Sequence, residues 1–74
     1  MEQVTATQSV ALRVRDAMES AGRSARSLAT ETAIPHVTLA RRLSGAVPFR
    51  VDELDRIAAA LGVTTASFFG ERAA

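Results

Sequence analysis

Five arginines, Arg23, Arg26, Arg41, Arg42 and Arg50, fall in a stretch that holds one acid, Glu31. A guanidinium offers forked N–H donors that match phosphate oxygens and the O6 and N7 acceptors of guanine. That stretch carries a balance of +4. The remaining four arginines and seven acids give −3, so the net charge of +1 conceals an asymmetry. Charge gathered on one segment is the electrostatic footprint of a nucleic-acid partner. Arginine used only to solvate a helical surface would have no reason to gather there. All nine basic residues are arginine and none is lysine. With the high alanine content this is the mark of GC-rich coding, so the choice of arginine over lysine carries no functional weight.

Other chemistries are poorly supplied. The chain has no cysteine and one histidine, His36, which excludes a disulfide framework, a thiolate metal site and a His-based metal cluster. No nucleophile–base pair and no phosphate loop can be assembled. An enzyme is therefore not expected, nor are a metal, a cofactor or a small-molecule ligand. The N-terminal region has no long apolar run, so neither a signal peptide nor a membrane span is read, and a soluble cytoplasmic domain is expected. Seventy-four residues make one domain, near the lower size at which a single core suffices.

The elements that must position these arginines follow from local signals. Ser24 to Gly45, SARSLATETAIPHVTLARRLSG, reads as two short helices joined by a tight turn. Ser24 is a good N-cap for a helix from Ala25 to about Thr32, with Leu28, Ala29 and Thr32 facing inward. Ala29 is small where two helices must approach closely, as in a helix-turn-helix. Pro35 lacks an N–H and presets φ, so it fits the first turn of a new helix and holds Ile34 extended. The second helix then runs from about Pro35 to Ser44. Leu39 and Leu43 form its buried side, and His36, Val37, Ala40 and Arg41 point the other way. Such short helices are not stable alone and need a scaffold.

The scaffold is read on either side. Residues 1–8 are polar and read as a flexible N-terminal arm. Ser9 can cap a helix to Ala21, with Val10, Val14, Ala17, Met18 and Ala21 as its apolar stripe and Gly22 as its stop. Arg13, Arg15, Asp16 and Glu19 are left for solvent, Arg15 and Glu19 as an i,i+4 pair. Leu12 lies off the stripe. After a loop with Pro48, a helix from Val51 to Leu61 carries the best stripe of the chain: Val51, Leu54, Ile57, Ala58 and Leu61. Asp52 and Glu53 suit its first turn, where the helix dipole favours anions. Gly62 stops it, Val63 plugs the core, and Thr64 caps a last helix from Thr65 to about Phe69. Residues 70–74 read as a loose C-terminal tail. The expectation is an all-α, compact bundle of five helices, with the helix-turn-helix domain over residues 9–69.

From Ser24 to Phe69 the chain resembles the Cro/XRE-type helix-turn-helix family of phage repressors and bacterial regulators. The match is carried by Leu28-Ala29, Ile34, Thr38-Leu39, the Arg-Leu-Ser-Gly ending at Gly45, and Leu54-x-x-Ile57-Ala58-x-x-Leu61-Gly62-Val63. The resemblance implies the lambda-repressor-like arrangement, with the helix at about 35–44 entering the major groove of double-stranded DNA. It implies a homodimer binding two half-sites, in the cytoplasm of a bacterium or an infected host. The base-reading face falls on His36, Val37, Ala40 and Arg41. Arg41 is the first choice for a guanine contact, whereas Val37 and Ala40 can only touch a thymine methyl or leave room, so DNA shape contributes to the readout. Arg23, Arg26, Arg42 and Arg50 serve as phosphate clamps, with Thr38 and Ser44 adding neutral bonds and Ser44 also suited to local capping.

Four departures from the family pattern carry expectations. Thr32 replaces an aliphatic residue. Ala33 stands where the turn usually has glycine, at a cost of roughly 1 kcal/mol if it turns left-handed. Leu43 replaces an acid and packs on Met18, while Arg42 replaces an apolar residue and rotates out towards the DNA backbone. Arg50 stands where a capping Ser or Thr is usual, which points to phosphate contact. Among the aromatics, one of Phe68 and Phe69 fills the core, because neighbours on a helix point about 100° apart. The candidates for a two-fold dimer contact are Phe49, Phe68 and Phe69. The leading reading is a sequence-specific DNA-binding transcriptional regulator, Cro-like or repressor-like, occupying an operator. The alternative is a protein-interaction module on the same fold, an antitoxin or an antagonist of another regulator.

Overall fold

The computed structural model describes residues 5–70. Residues 1–4 of the expected arm and 71–74 of the expected tail lie outside the described residues. Four α-helices, α1 (Ala6–Ala21), α2 (Ala25–Thr32), α3 (His36–Leu43) and α4 (Val51–Leu61), are followed by a 3-10 helix, Thr65–Phe69. No strand occurs among the described residues. The expected fifth α-helix is thus a 3-10 segment. Five residues before a left-handed Gly70 leave little length for i→i−4 bonding. Thr64 makes no side-chain cap; instead its carbonyl accepts from the Ser67 hydroxyl at 2.6 Å.

α1 begins three residues earlier than its apolar pattern indicates. Thr5 caps it by accepting from the Gln8 backbone N–H at 3.1 Å, and the Gln8 side-chain oxygen accepts from the Thr5 N–H at 3.1 Å. This reciprocal capping box satisfies two helix-end donors and needs no apolar residue. Residues 6–8 are therefore helix and not arm. At the other end, the N–H groups of Gly22 and Arg23 return to the carbonyls of Glu19 and Met18, a Schellman closure around a left-handed Gly22.

The core collects Val14 and Met18 from α1, Leu28 and Ala29 from α2, Leu39 and Leu43 from α3, and Leu54, Ile57 and Ala58 from α4. Ile34 and Phe68 close it from the turn and the 3-10 helix. The α1 stripe is rotated from expectation: Ala11 is buried and Ala21 exposed. α1 lies against the 3-10 helix, α3 and α4 together, so its covered face extends beyond one regular stripe. Val63 is not a plug, being 38 % exposed, and Phe68 at 1 % fills that role. Val51 is also exposed. It is the first residue of α4 and borders an open cleft instead of entering the core.

Two arginines interlock α2 and α4. Arg23 donates to the Ala60 carbonyl near the end of α4 at 3.3 Å, and Arg56 donates to the Thr32 carbonyl at the end of α2 at 3.0 Å. Each binds carbonyls that a helix terminus leaves without intrahelical partners. Thr32, buried where an aliphatic was the usual choice, satisfies its hydroxyl on the Leu28 carbonyl at 2.7 Å. The turn into α3 is made by Ala33, at φ 61° and ψ 24°, the one non-glycine residue with positive φ among those described. Pro35 follows at φ −54° and ψ 140° as the N-cap of α3, and its carbonyl accepts the first helical bond from Leu39 at 2.9 Å.

Candidate nucleic-acid interface

Burial of Leu39 and Leu43 fixes the rotation of α3. His36, Val37, Ala40 and Arg41 are consequently brought together on one exposed strip along the opposite face. Val37 is a large apolar side chain left 69 % exposed, and Arg41 has no acidic partner among the described residues. Arg26, exposed in the first turn of α2, is also without an acidic partner there. Thr38 is half-buried at the edge of the strip. The Ser44 hydroxyl donates to the Arg41 carbonyl at 2.8 Å and accepts from the Ala46 N–H at 3.3 Å, so it closes the helix end.

Two of the expected phosphate clamps are engaged elsewhere. Arg42 is not rotated out. Its Nε and Nη2 donate to the two carboxylate oxygens of Glu53 at 2.7 and 3.1 Å, with side-chain exposures of 15 % and 7 %. The hydrogen bond to Glu53 raises the affinity of the Arg42 guanidinium for its proton. The same bond holds the Glu53 carboxyl below the ordinary glutamate value, against the opposing effect of burial. Arg23 is likewise committed, to the Glu31 carboxylate, the Ser27 hydroxyl and the Ala60 carbonyl. The physical reason is the same in both cases. A guanidinium that can reach a fixed acceptor inside its own fold is held there by charge-assisted bonds.

Arg50 behaves differently. Its guanidinium donates to Asp52 at 3.1 Å, but the side chains are 71 % and 56 % exposed. Such an exposed, solvent-screened pair adds little to stability and leaves the guanidinium accessible. Its backbone N–H, not its side chain, belongs to the α4 cap: Glu53 Oε1 accepts it at 2.8 Å. A guanidinium has no acceptor, so only this half of a capping box can form. Glu53 is the residue that sequence reasoning undervalued. Its position, three residues beyond the N-cap, signals the cap. Nothing in the spacing between Arg42 and Glu53 signals the pair.

The aromatics separate as well. Phe68 is fully buried and drops out as a dimer contact, while Phe69 is 55 % exposed. Phe49 packs partly on the core and shares a shallow apolar cleft with Val10, Pro48, Val51 and Phe69.

A turn-linked helix pair, with an exposed and partly cationic strip on its second member, has the form of a small helix-turn-helix-like domain. The family model of the BetR domain, a small helical, helix-turn-helix-like DNA-binding family, matches residues 5–74, and the chain belongs to that family. Membership supports a DNA-binding regulatory role. No curated protein and no solved structure matches the chain. No described helix is long and apolar enough to cross a membrane.

Proposed function

We propose that this domain is a sequence-specific transcriptional regulator that occupies an operator in double-stranded DNA through α3. In this reading the domain is Cro/XRE-like and of the lambda-repressor type, and it acts in the cytoplasm without a cofactor or an enzymatic step. The observation that carries the reading is the strip of His36, Val37, Ala40 and Arg41, exposed on one face of a helix whose other face is locked into the core. Arg41 reads a guanine, His36 donates to a base edge or phosphate, and Val37 contacts a thymine methyl. Arg26, Arg50 and Thr38 hold the backbone. Two copies meet through the apolar face of Phe49, Val51 and Phe69, which matches a two-fold operator to a two-fold protein.

The decisive experiment is salt-dependent binding to genomic fragments around its own gene, with random DNA as competitor. A preferred fragment, bound more tightly than random duplex at every salt concentration, supports the reading. Equal affinity for all fragments removes sequence-specific operator binding and favours a protein-interaction module on the same fold.

A further inference from the structure

The described arginines divide into two groups. Arg23, Arg42, Arg50 and Arg56 are ion-paired, whereas Arg13, Arg15, Arg26 and Arg41 have no acidic partner among the described residues. Arg26 and Arg41 belong to the helix-turn-helix. Arg15 belongs to α1, where sequence reasoning left it paired to Glu19, and that pair is not formed. Instead Arg15 lines a groove of about 240 Å³ between the first half of α1 and the end of α3, together with Gln8, Leu12, Ser44 and Gly45.

Among the described residues, the groove is walled without a carboxylate. Its far side is the Ser44–Gly45 turn, directly after the α3 residues Arg41 and Arg42. Gly45 sits at φ +83°, and a Cβ there would lie 3.4 Å from Gln8 Cγ, so the first turn of α1 abuts the end of the proposed reading helix. The capping box also orients Gln8. Its oxygen is held by the Thr5 N–H, while its NH2 makes no hydrogen bond among the described residues. Two sets of donors, the Arg15 guanidinium and the Gln8 amide, therefore border one groove that opens beside α3, with no competing anion on its walls among the described residues. Donor geometry of this kind suits a phosphodiester.

We propose that Arg15 and Gln8 form a DNA phosphate-contacting site on α1, extending the interface of α3 around the Ser44–Gly45 turn. The proposal rests on the DNA-binding reading above. In effect the footprint inferred from the central segment loses Arg23 and Arg42 to internal pairs and gains Arg15 from a helix outside that segment.

The test uses the full chain and measures binding to a preferred genomic fragment and to a short random-sequence duplex across a salt series. Arg15→Gln makes the negative slope of log K against log salt shallower by about 0.9, the value for one lost phosphate contact, and weakens both duplexes by the same factor. Arg15→Lys keeps the slope, because the charge remains. Arg13→Gln, on the same helix but with its guanidinium beside Gly70, leaves the slope unchanged. Gln8→Glu retains the acceptor of the capping box and places an anion in the first turn, so thermal stability holds or rises while DNA affinity falls. Tight binding by the wild type with unaltered slope and affinity in Arg15→Gln overturns the α1 site alone. A wild type that binds neither duplex overturns the α1 site together with the DNA-binding reading.

Discussion

The last turn of α3 and the 3-10 helix each contain a pair of identical neighbours with opposite fates. Arg42 is held against Glu53 at the rim of the core, while Arg41 stands exposed without an acidic partner among the described residues. Phe68 is 1 % exposed and Phe69 55 %. In both places a rotation of roughly 100–120° between consecutive residues separates a structural side chain from one available to a partner. Residue type is the same within each pair, so type cannot assign the role. What differs is which side chain meets a neighbouring element.

The largest effect is expected at the aromatic pair. Phe68→Ala is expected to cost about 3–5 kcal/mol in a denaturant titration, through lost burial and the cavity left among α1, α4 and the 3-10 helix. Phe69→Ser should alter folding by less than ~0.5 kcal/mol. Its effect is expected in sedimentation across concentration, as a loss of dimer. A monomer in both wild type and variant would remove Phe69 from any interface.

At the arginine pair, Arg42→Ala leaves Glu53 with only the Arg50 N–H as a partner. The pair lies at the rim and not deep inside, so the expected loss is about 2–3 kcal/mol, below the full cost of stranding a deeply buried charge. The salt slope of DNA binding should not change. Arg41→Ala is the converse: folding shifts by less than ~0.5 kcal/mol, and discrimination at one base position falls by about 1–3 kcal/mol. Equal weakening on preferred and random DNA would show that Arg41 contacts phosphate instead of a base.

The Arg42–Glu53 pair also gives a pH dependence with a definite sign. Because the folded-state carboxyl of Glu53 lies below its unfolded value, its contribution is fully present above the ordinary glutamate value of about 4.3. It is lost as pH falls from there through the lowered folded value. Urea midpoints of wild type and Glu53→Gln should therefore converge on acidification below that point. A constant gap would dissociate the pair from acid stability.

The smallest effect is expected at the turn that separates α2 from α3. Ala33→Gly removes the left-handed strain of an L-residue and should raise stability by about 1 kcal/mol, read from the melting temperature. DNA affinity should be unaltered, since α3 keeps its rotation through Leu39 and Leu43.

Much of the scaffold was legible because its signals are local. The bounds of α2 and α4 follow from the Ser24 cap, the Pro35 break, the apolar period of residues 51–61 and the Gly62 stop, and both agree with the structure. The strip on α3 was legible for a related reason: two leucines four residues apart fix which face is inside. The start of α1 was missed, because a polar first turn has no apolar period and the Thr5–Gln8 box was the only sign of it. The internal commitments of Arg23 and Arg42 were missed because their acceptors come from distant residues or from acids whose spacing in the chain means nothing.

By itself the amino-acid sequence determined that this chain is a helical domain with a turn-linked helix pair at Ser24–Gly45, since caps, breakers and apolar spacing act over a few residues along one helix. It also determined how many arginines there are and that most of the excess lies near that pair. Which of them remain available was decided only by the tertiary structure. Coulombic attraction and hydrogen bonding act over a few ångströms of space, and only packing brings Glu53 beneath Arg42, turns the Ala60 carbonyl towards Arg23, and leaves Arg15 beside the end of α3.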